Sequence, residues 1–444
     1  MKRKIVLSIV LISMFLLSVA TTVLANDDNT FLLKVDQTSA MAGDTIAVTI
    51  SNTEACTGVE GVLKYDPEAL TYQSVTFSGN LAERNNEYRS IRTYSSGEIR
   101  FSIVGDTTNG TKGDWATFVF EVNTGFSGSS QVSMSDVKIS DVSANLTEEN
   151  GASVELNIIP MEITDASITL GESITVNYYA TLAEKYEEAT MQFTMNEKVV
   201  SVEGELVEGN KYKFAFEGVS PQCMTDVIKA ELIYGEDILD THDSFTVRNY
   251  CDSLLASDAA TMGMGEEKFT AMKTLVADLL EYGAMSQTYR NYKTDSLANQ
   301  GITGQSEFVE LTEGWKVAPT NSGDNIKITA GGVWFANVNK IYLKFTTTDI
   351  SNTTLVLDGI TYTSKDFELV SDNTYIFYSD SILPSEFGVG KTAQFKYGET
   401  VEASITYCVN NYVYAKQSQD TNMGKLARAL YNYGVSAVEY MKLQ

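Results

Sequence analysis

The C-terminal two thirds of this chain repeat themselves, and that self-similarity narrows the possible folds more than any other feature. Asn210-x-Tyr212-x-Phe214, Pro221 and Tyr234-Gly235-Glu236 recur 163 residues later as Asn373-x-Tyr375-x-Phe377, Pro384 and Tyr397-Gly398-Glu399. Leu275-x3-Leu279-x2-Tyr282-Gly283-x5-Tyr289 recurs 151 residues later as Leu426-x3-Leu430-x2-Tyr433-Gly434-x5-Tyr440. The smaller offset marks a longer loop in the first copy, around 257–266. Two separate stretches recurring in the same order predict a tandem pair of modules, 161–300 and 307–444, each copy bound to the architecture of the other.

Each copy reads as strands followed by an amphipathic helix. Phe269, Met272, Val276 and Leu279 fall three or four residues apart, as do Leu426, Leu430, Tyr433, Ala437 and Tyr440, so each set makes one apolar face. Glycine inside a helix costs about 1 kcal/mol relative to alanine, so the Tyr-Gly pairs need a reason. Close packing of another element over Gly283 and Gly434 is the reading that fits tyrosines spaced with leucines; a tyrosine platform for a sugar ring is the alternative. Residues 294–306, polar with two glycines, have the composition of a linker.

Ahead of the repeat, residues 26–158 carry a period of two. Short alternating runs such as 45–50, 59–65, 98–104 and 116–122 are separated by Gly43-Asp44, Asp66-Pro67, Ser96-Gly97 and Gly113-Asp114. That pattern predicts a β-sandwich, with no helix-length period. The chain as a whole is therefore expected to be mainly β with some α.

The first 25 residues have a different character. Lys2, Arg3 and Lys4 precede an apolar run from Ile5 to Val19, and Val23-Leu24-Ala25 suits a signal peptidase, so cleavage is expected between Ala25 and Asn26. No cysteine follows that run to take a lipid, and no second apolar run is long enough to span a bilayer. A secreted, extracellular protein with no membrane span is expected; association with the cell surface stays open. The formal net charge is −26, and losing the leader makes it more negative. Such a charge repels nucleic acid and anionic lipid, which are excluded as partners.

Catalysis finds little to use. His242 stands alone in the chain, between Thr241 and Asp243, and is expected at the surface. Cys56, Cys223, Cys251 and Cys408 are scattered, without disulfide-framework or metal spacing, and are expected as buried free thiols; a Cys223–Cys251 pair is the alternative. Among 58 acidic residues no carboxylate pair is distinguished, and no Gly-rich phosphate loop is present. The run from Asp106 to Thr111 brushes a calcium-loop pattern, but its glycine comes early and the acids are missing, so a turn is expected. No enzyme activity, cofactor or metal is anticipated.

Within the β-rich third the order of motifs becomes specific. Ala42-Gly43-Asp44-Thr45-Ile46-x-Val48 leads to Gly61-Val62-Leu63-Lys64-Tyr65-Asp66-Pro67-Glu68-Ala69-Leu70. Gly97 to Ile103 and Gly113-Asp114-Trp115-Ala116-Thr117-Phe118-x-Phe120-x-Val122 follow. In that order and spacing the segment resembles the cohesin domain, the module of cellulosome- or amylosome-type scaffolds and cell-surface proteins that captures dockerin-bearing enzymes. The resemblance covers under a third of the chain, and the segment between Val75 and Ile91 is short for it. It implies a jelly-roll β-sandwich, an architecture shared with some carbohydrate-binding modules, that receives the dockerin helices on the face built from its outer strands.

Strand alternation sets Gly61, Leu63 and Tyr65 on one side and Glu60, Val62 and Lys64 on the other, with Ile99, Phe101 and Ile103 inward and Arg100, Ser102 and Val104 outward. With Asp106 in the following loop, Glu60, Val62, Lys64, Arg100, Ser102, Val104 and Asp106 are the candidate partner-binding residues. Val62 and Val104 are the expected anchors, within a charged rim of Glu60, Lys64 and Arg100. The function this implies is capture of dockerin-containing enzymes for extracellular polysaccharide degradation. Two alternatives stay open: carbohydrate binding through the sandwich or through the repeated modules, which hold Trp315 and Trp334, and a purely structural surface spacer.

Overall fold

In the computed structural model the N-terminal module closes two sheets over one core. The structure describes residues 31–82 and 89–444 together with the strand Ile5–Ser8. The expected cleavage point, the start of the first module and residues 83–88 of the short segment after Val75 lie outside the described residues.

One sheet of this module runs in the order Ser39–Met41, Ala152–Ile159, Gly128–Ser140, Gly58–Lys64, Glu98–Val104 and Arg89–Tyr94, with Leu146–Glu149 beside Gly128–Ser140. The other runs Phe31–Val35, Thr45–Cys56, Thr111–Val122 and Leu70–Phe77. Pairing is antiparallel apart from the short contact of Ser39–Met41 with Ala152–Ile159. Alternation explains the closure: Ile99, Phe101 and Ile103 are buried from one sheet, Phe118, Phe120 and Val122 from the other, with Trp115 fully enclosed. Each such side chain contributes about 1.5–3 kcal/mol when taken out of water.

Both later modules follow one plan. In the first, one sheet is ordered Ile163–Leu170, Ile174–Thr181, Lys211–Val219, Glu205–Glu208, and the other Lys198–Glu203, Thr190–Met195, Ile228–Tyr234, Asp237–Phe245. In the second, the corresponding orders are Ile326–Phe335, Asn339–Thr347, Thr374–Tyr378, Phe367–Ser371 and Ile360–Tyr362, Thr353–Leu357, Lys391–Tyr397, Thr400–Tyr407, with the short strand Thr320–Asn321 added beyond the last. Ile5–Ser8, from the segment expected as leader, lies antiparallel along Ile163–Leu170 at the sheet edge, with no counterpart in the second module. Its removal would leave the two modules with the same strand order in that sheet.

Each module ends in two helices, where periodicity predicts one. They are α1 (Val247–Ala256) and α2 (Glu266–Arg290), then α3 (Val409–Lys416) and α4 (Asn422–Lys442). The shorter helices span too few turns to show a clear period, although Thr246 caps α1 by accepting from the Asn249 amide. Nor does α2 keep to a single apolar face: Leu275 through Leu280 are all buried, Asp278 included. The cause is α4, which packs along α2 so that one hydrophobic core runs through both modules.

That interface explains the Tyr-Gly pairs. Tyr282 and Tyr433 are 2% and 4% exposed and stack on each other, ring centroids 5.7 Å apart and planes 11° from parallel. The Tyr282 hydroxyl donates to Asn339 Oδ1 at 3.0 Å. A Cβ on Gly283 would come 3.1 Å from the Pro221 carbonyl and 2.6 Å from Met224 Sδ; on Gly434 it would come 3.2 Å from the Pro384 carbonyl and 2.6 Å from Phe387 Cδ2. In both modules the glycine admits the turn that begins with the shared proline.

The segment 294–306 is clamped rather than flexible, contrary to its composition. Arg248 donates to the Ala298 and Gln300 carbonyls, the Ala298 amide donates to Gln287 Oε1, and Ser306 donates twice to buried Asp278. All four cysteines are free; Cys56, Cys251 and Cys408 are buried and Cys223 half-buried. Burial pushes the Cys56 thiol up to about 11. No helix among the described residues is long and apolar enough to cross a membrane.

Replacing Gly434 by alanine is expected to lower stability by about 1–3 kcal/mol, because overpacking against Phe387 and the Pro384 carbonyl outweighs the gain in helix propensity. A urea midpoint that stays or rises would contradict this packing. Asp226 supplies a second check. Burial raises its pKa, but hydrogen bonds from Lys293, Asn196 and Tyr292 outweigh it and hold the carboxyl below its ordinary range. A depressed folded-state pKa stabilises above the unfolded value and is lost as pH falls through the folded one. Asp226→Asn should therefore flatten the loss of stability below roughly pH 4, measured by denaturation across pH.

A flat candidate docking face

Six of the seven candidate residues sit on two neighbouring strands, and Asp106 lies in the loop that follows. Gly58–Lys64 and Glu98–Val104 pair in register, placing Val62 opposite Arg100, Glu60 opposite Ser102 and Gly58 opposite Val104. Because side chains alternate, Val59, Gly61 and Leu63 turn into the core while Glu60, Val62 and Lys64 turn out. Glu60, Lys64, Arg100 and Ser102 are exposed, and Val62 and Val104 are half-buried between them. Gly61 is required from beneath: a Cβ there would stand 2.9 Å from the Phe101 ring.

The face is wider than its first seven residues. Gly128–Ser140 flanks one side and puts Ser135 opposite Val62 and Lys138 opposite Glu60, with Lys138 Nζ 4.0 Å from the Glu60 carboxylate. Arg89–Tyr94 flanks the other, with Arg92 opposite Arg100 and Tyr94 opposite Glu98. Tyr94 is 42% exposed and the Arg100 guanidinium lies 5.4 Å from its ring centre, with Glu98 3.8 Å from the same arginine. Exposed ion pairs of this kind are worth ~0–1 kcal/mol each, so the charges remain available to a partner. Lys138, Arg92 and Tyr94 escape a reading of single strands, because only cross-strand register sets them beside Val62 and Arg100.

Asp106 behaves differently from the other six. Its carboxylate accepts from the Thr108 and Asn109 amides and the Asn109 side chain, and Gly110 closes the turn at φ +74°. It shapes the loop, as expected of a turn, and no group of three or more metal-binding side chains occurs among the described residues. The Tyr65-Asp66-Pro67 element is likewise structural. Tyr65 packs 5.0 Å from Phe120, Asp66 accepts from the Glu68 amide, and the Asn123 side chain donates to the Pro67 and Glu68 carbonyls.

The next module meets this sandwich elsewhere. Met41 clusters with Ala183 and Tyr186, the Tyr186 ring lies against Gly43, and Lys185 donates to Glu121 at 2.8 Å. These contacts leave the outer side of Gly58–Lys64 and Glu98–Val104 uncovered.

His242 is not the plain surface residue its neighbours suggest. It is half-buried, with Nδ1 3.3 Å from the Tyr178 hydroxyl and its ring edge-on to Tyr178 and Phe245. The pair lines a cleft of 420 Å³ with Asp165, Asn249 and Tyr250. The sequence hides this, since Tyr178 and His242 lie on strands of different sheets.

Comparison with known proteins agrees with the first module and is silent on the rest. Residues 31–158 match the family model described as Cohesin domain. A search of curated proteins found no match. Similar solved structures include a cohesin module from a family 33 glycoside hydrolase of Clostridium perfringens, 12% identical, covering 29% of this chain and 96% of that one with a TM-score of 0.25. A type I cohesin–dockerin complex from Clostridium thermocellum is 20% identical over 30% of this chain and 100% of that one, also at 0.25. A non-cellulosomal cohesin from Archaeoglobus fulgidus is 14% identical over 29% and 91%, again at 0.25.

Proposed function

Starting from a cohesin domain at residues 31–158, we propose that this protein is a non-catalytic receptor that holds dockerin-bearing enzymes outside the cell, in the service of polysaccharide degradation. The observation that carries the reading is the uncovered outer face of a domain of this family: half-buried Val62 and Val104 within exposed Glu60, Lys64, Arg100 and Ser102. Small aliphatic anchors inside a charged rim are the anatomy of a non-obligate protein interface. An exposed strand face of this make-up suits an amphipathic helix pair. The basic and apolar start of the chain supports export. In this reading the two later modules, joined through one core, carry the receptor as a rigid block.

The test is capture of purified dockerin-bearing enzymes by the full chain. Val62→Asp and Val104→Asp bury a charge at the expected anchors, and each should weaken binding about thirtyfold or more while the far-ultraviolet spectrum is unchanged. Asp106→Asn, which keeps the turn, should bind within about threefold of the parent. Unchanged affinity in both valine variants would move the contact to another face, and retention of no dockerin protein at all would remove the proposal.

A further inference from the structure

The second repeated module carries an aromatic cradle that its fold does not require. The sheet containing Ile326–Phe335, Asn339–Thr347 and Thr374–Tyr378 buries Ile341, Leu343, Phe345 and Phe377 on one side. Its other side presents Trp334, Tyr342 and Tyr378. The Trp334 and Tyr378 rings meet at 5.6 Å with planes 74° apart, and Tyr342 and Tyr378 at 6.3 Å and 54°. Trp334 is 48% exposed, and both tyrosines are partly exposed.

Gly332 stands opposite Tyr342, where a Cβ would fall 2.4 Å from the ring. The missing side chain is what lets this tyrosine lie over the neighbouring strand.

The first module shows what the same positions hold when no aromatic surface is built. Tyr342 pairs with Tyr378 and Gly332 as Asn177 pairs with Ala215 and Ser167, and Thr169 takes the place of Trp334. There Asn177 donates to Thr169 Oγ1 at 2.9 Å and to Ser167 Oγ at 3.3 Å, a small polar network. Both sheets keep one strand order, but Ser167 and Asn177 are buried in the first module whereas Trp334 is exposed in the second, so three contiguous rings and an accommodating glycine there ask for a ligand.

We propose that this face binds a neutral polysaccharide chain. The C–H edges of a pyranose ring carry partial positive charge and meet the negative face of an aromatic ring favourably. Lys340, Lys344 and Glu368 lie on the same side, at positions facing Trp334, Ala330 and Ile376, where both signs of charge suit hydroxyl groups. A protein partner would need about 800 Å² of complementary surface around the rings. The net charge of −26 disfavours an acidic polymer. Rings set at steep angles grip one soluble chain rather than lie flat on a crystalline surface. The inference is independent of the dockerin reading, since it concerns a different module.

Affinity electrophoresis of the full chain through gels containing starch, xylan, xyloglucan, mixed-linkage β-glucan, galactomannan or polygalacturonate tests it. Retardation is expected in at least one neutral gel. Trp334→Ala and Tyr378→Ala should each reduce the association constant about tenfold, Trp334→Phe less, and Val62→Asp not at all. Trp334 is exposed enough that its loss should leave the unfolding midpoint near the parent's, which a thermal melt checks. Migration unaffected by every neutral polysaccharide, retardation by polygalacturonate alone, or retardation undiminished in both alanine variants would each overturn the proposal.

Discussion

The packing of α2 against α4 joins the two repeated modules through one core. Tyr282 and Tyr433 come from equivalent places in α2 and α4 and meet face to face at the centre of a core that neither module closes alone. The glycine after each is the enabling partner, because a side chain there would strike the turn starting at Pro221 or Pro384. A pair of modules joined this way gains the burial of both helices at once, which is why the middle of α2 is buried on most sides and residues 294–306 are pinned instead of free.

The sandwich at the N-terminus is built on a different principle and keeps its own core. Its contact with the next module uses Met41, Gly43 and Glu121, away from the strands that carry Val62 and Arg100. That separation has a functional consequence. The proposed docking face must stay uncovered to be useful, and the contact with the next module uses none of its residues. The aromatic cradle around Trp334 belongs to a different module, so the two proposed sites share no residue.

Legibility followed the range of the interactions concerned. The inward Ile99, Phe101 and Ile103 and the outward Glu60, Val62 and Lys64 were readable because alternation is local to a strand. The close approach over Gly283 and Gly434 was readable too, since a glycine kept at helical spacing has few other reasons to be there. Lys138, Arg92 and Tyr94 were not readable as parts of the face, nor was the contact of His242 with Tyr178. Each depends on which strand lies next to which, and composition does not encode that.

From its residues alone the chain declared a β-sandwich of cohesin type, a duplicated second part, an acidic surface and an apolar leader-like start, because periodicity, repetition and charge are properties of the polymer itself. Strand register and helix pairing decided the rest: that α2 and α4 fuse two modules around one core, that the strands bearing Val62 and Arg100 stay uncovered, and that Trp334, Tyr342 and Tyr378 converge. Those three aromatics span more than forty residues of chain, and only the long-range pairing of one strand with the next brings the Trp334 and Tyr342 rings within 7 Å of Tyr378.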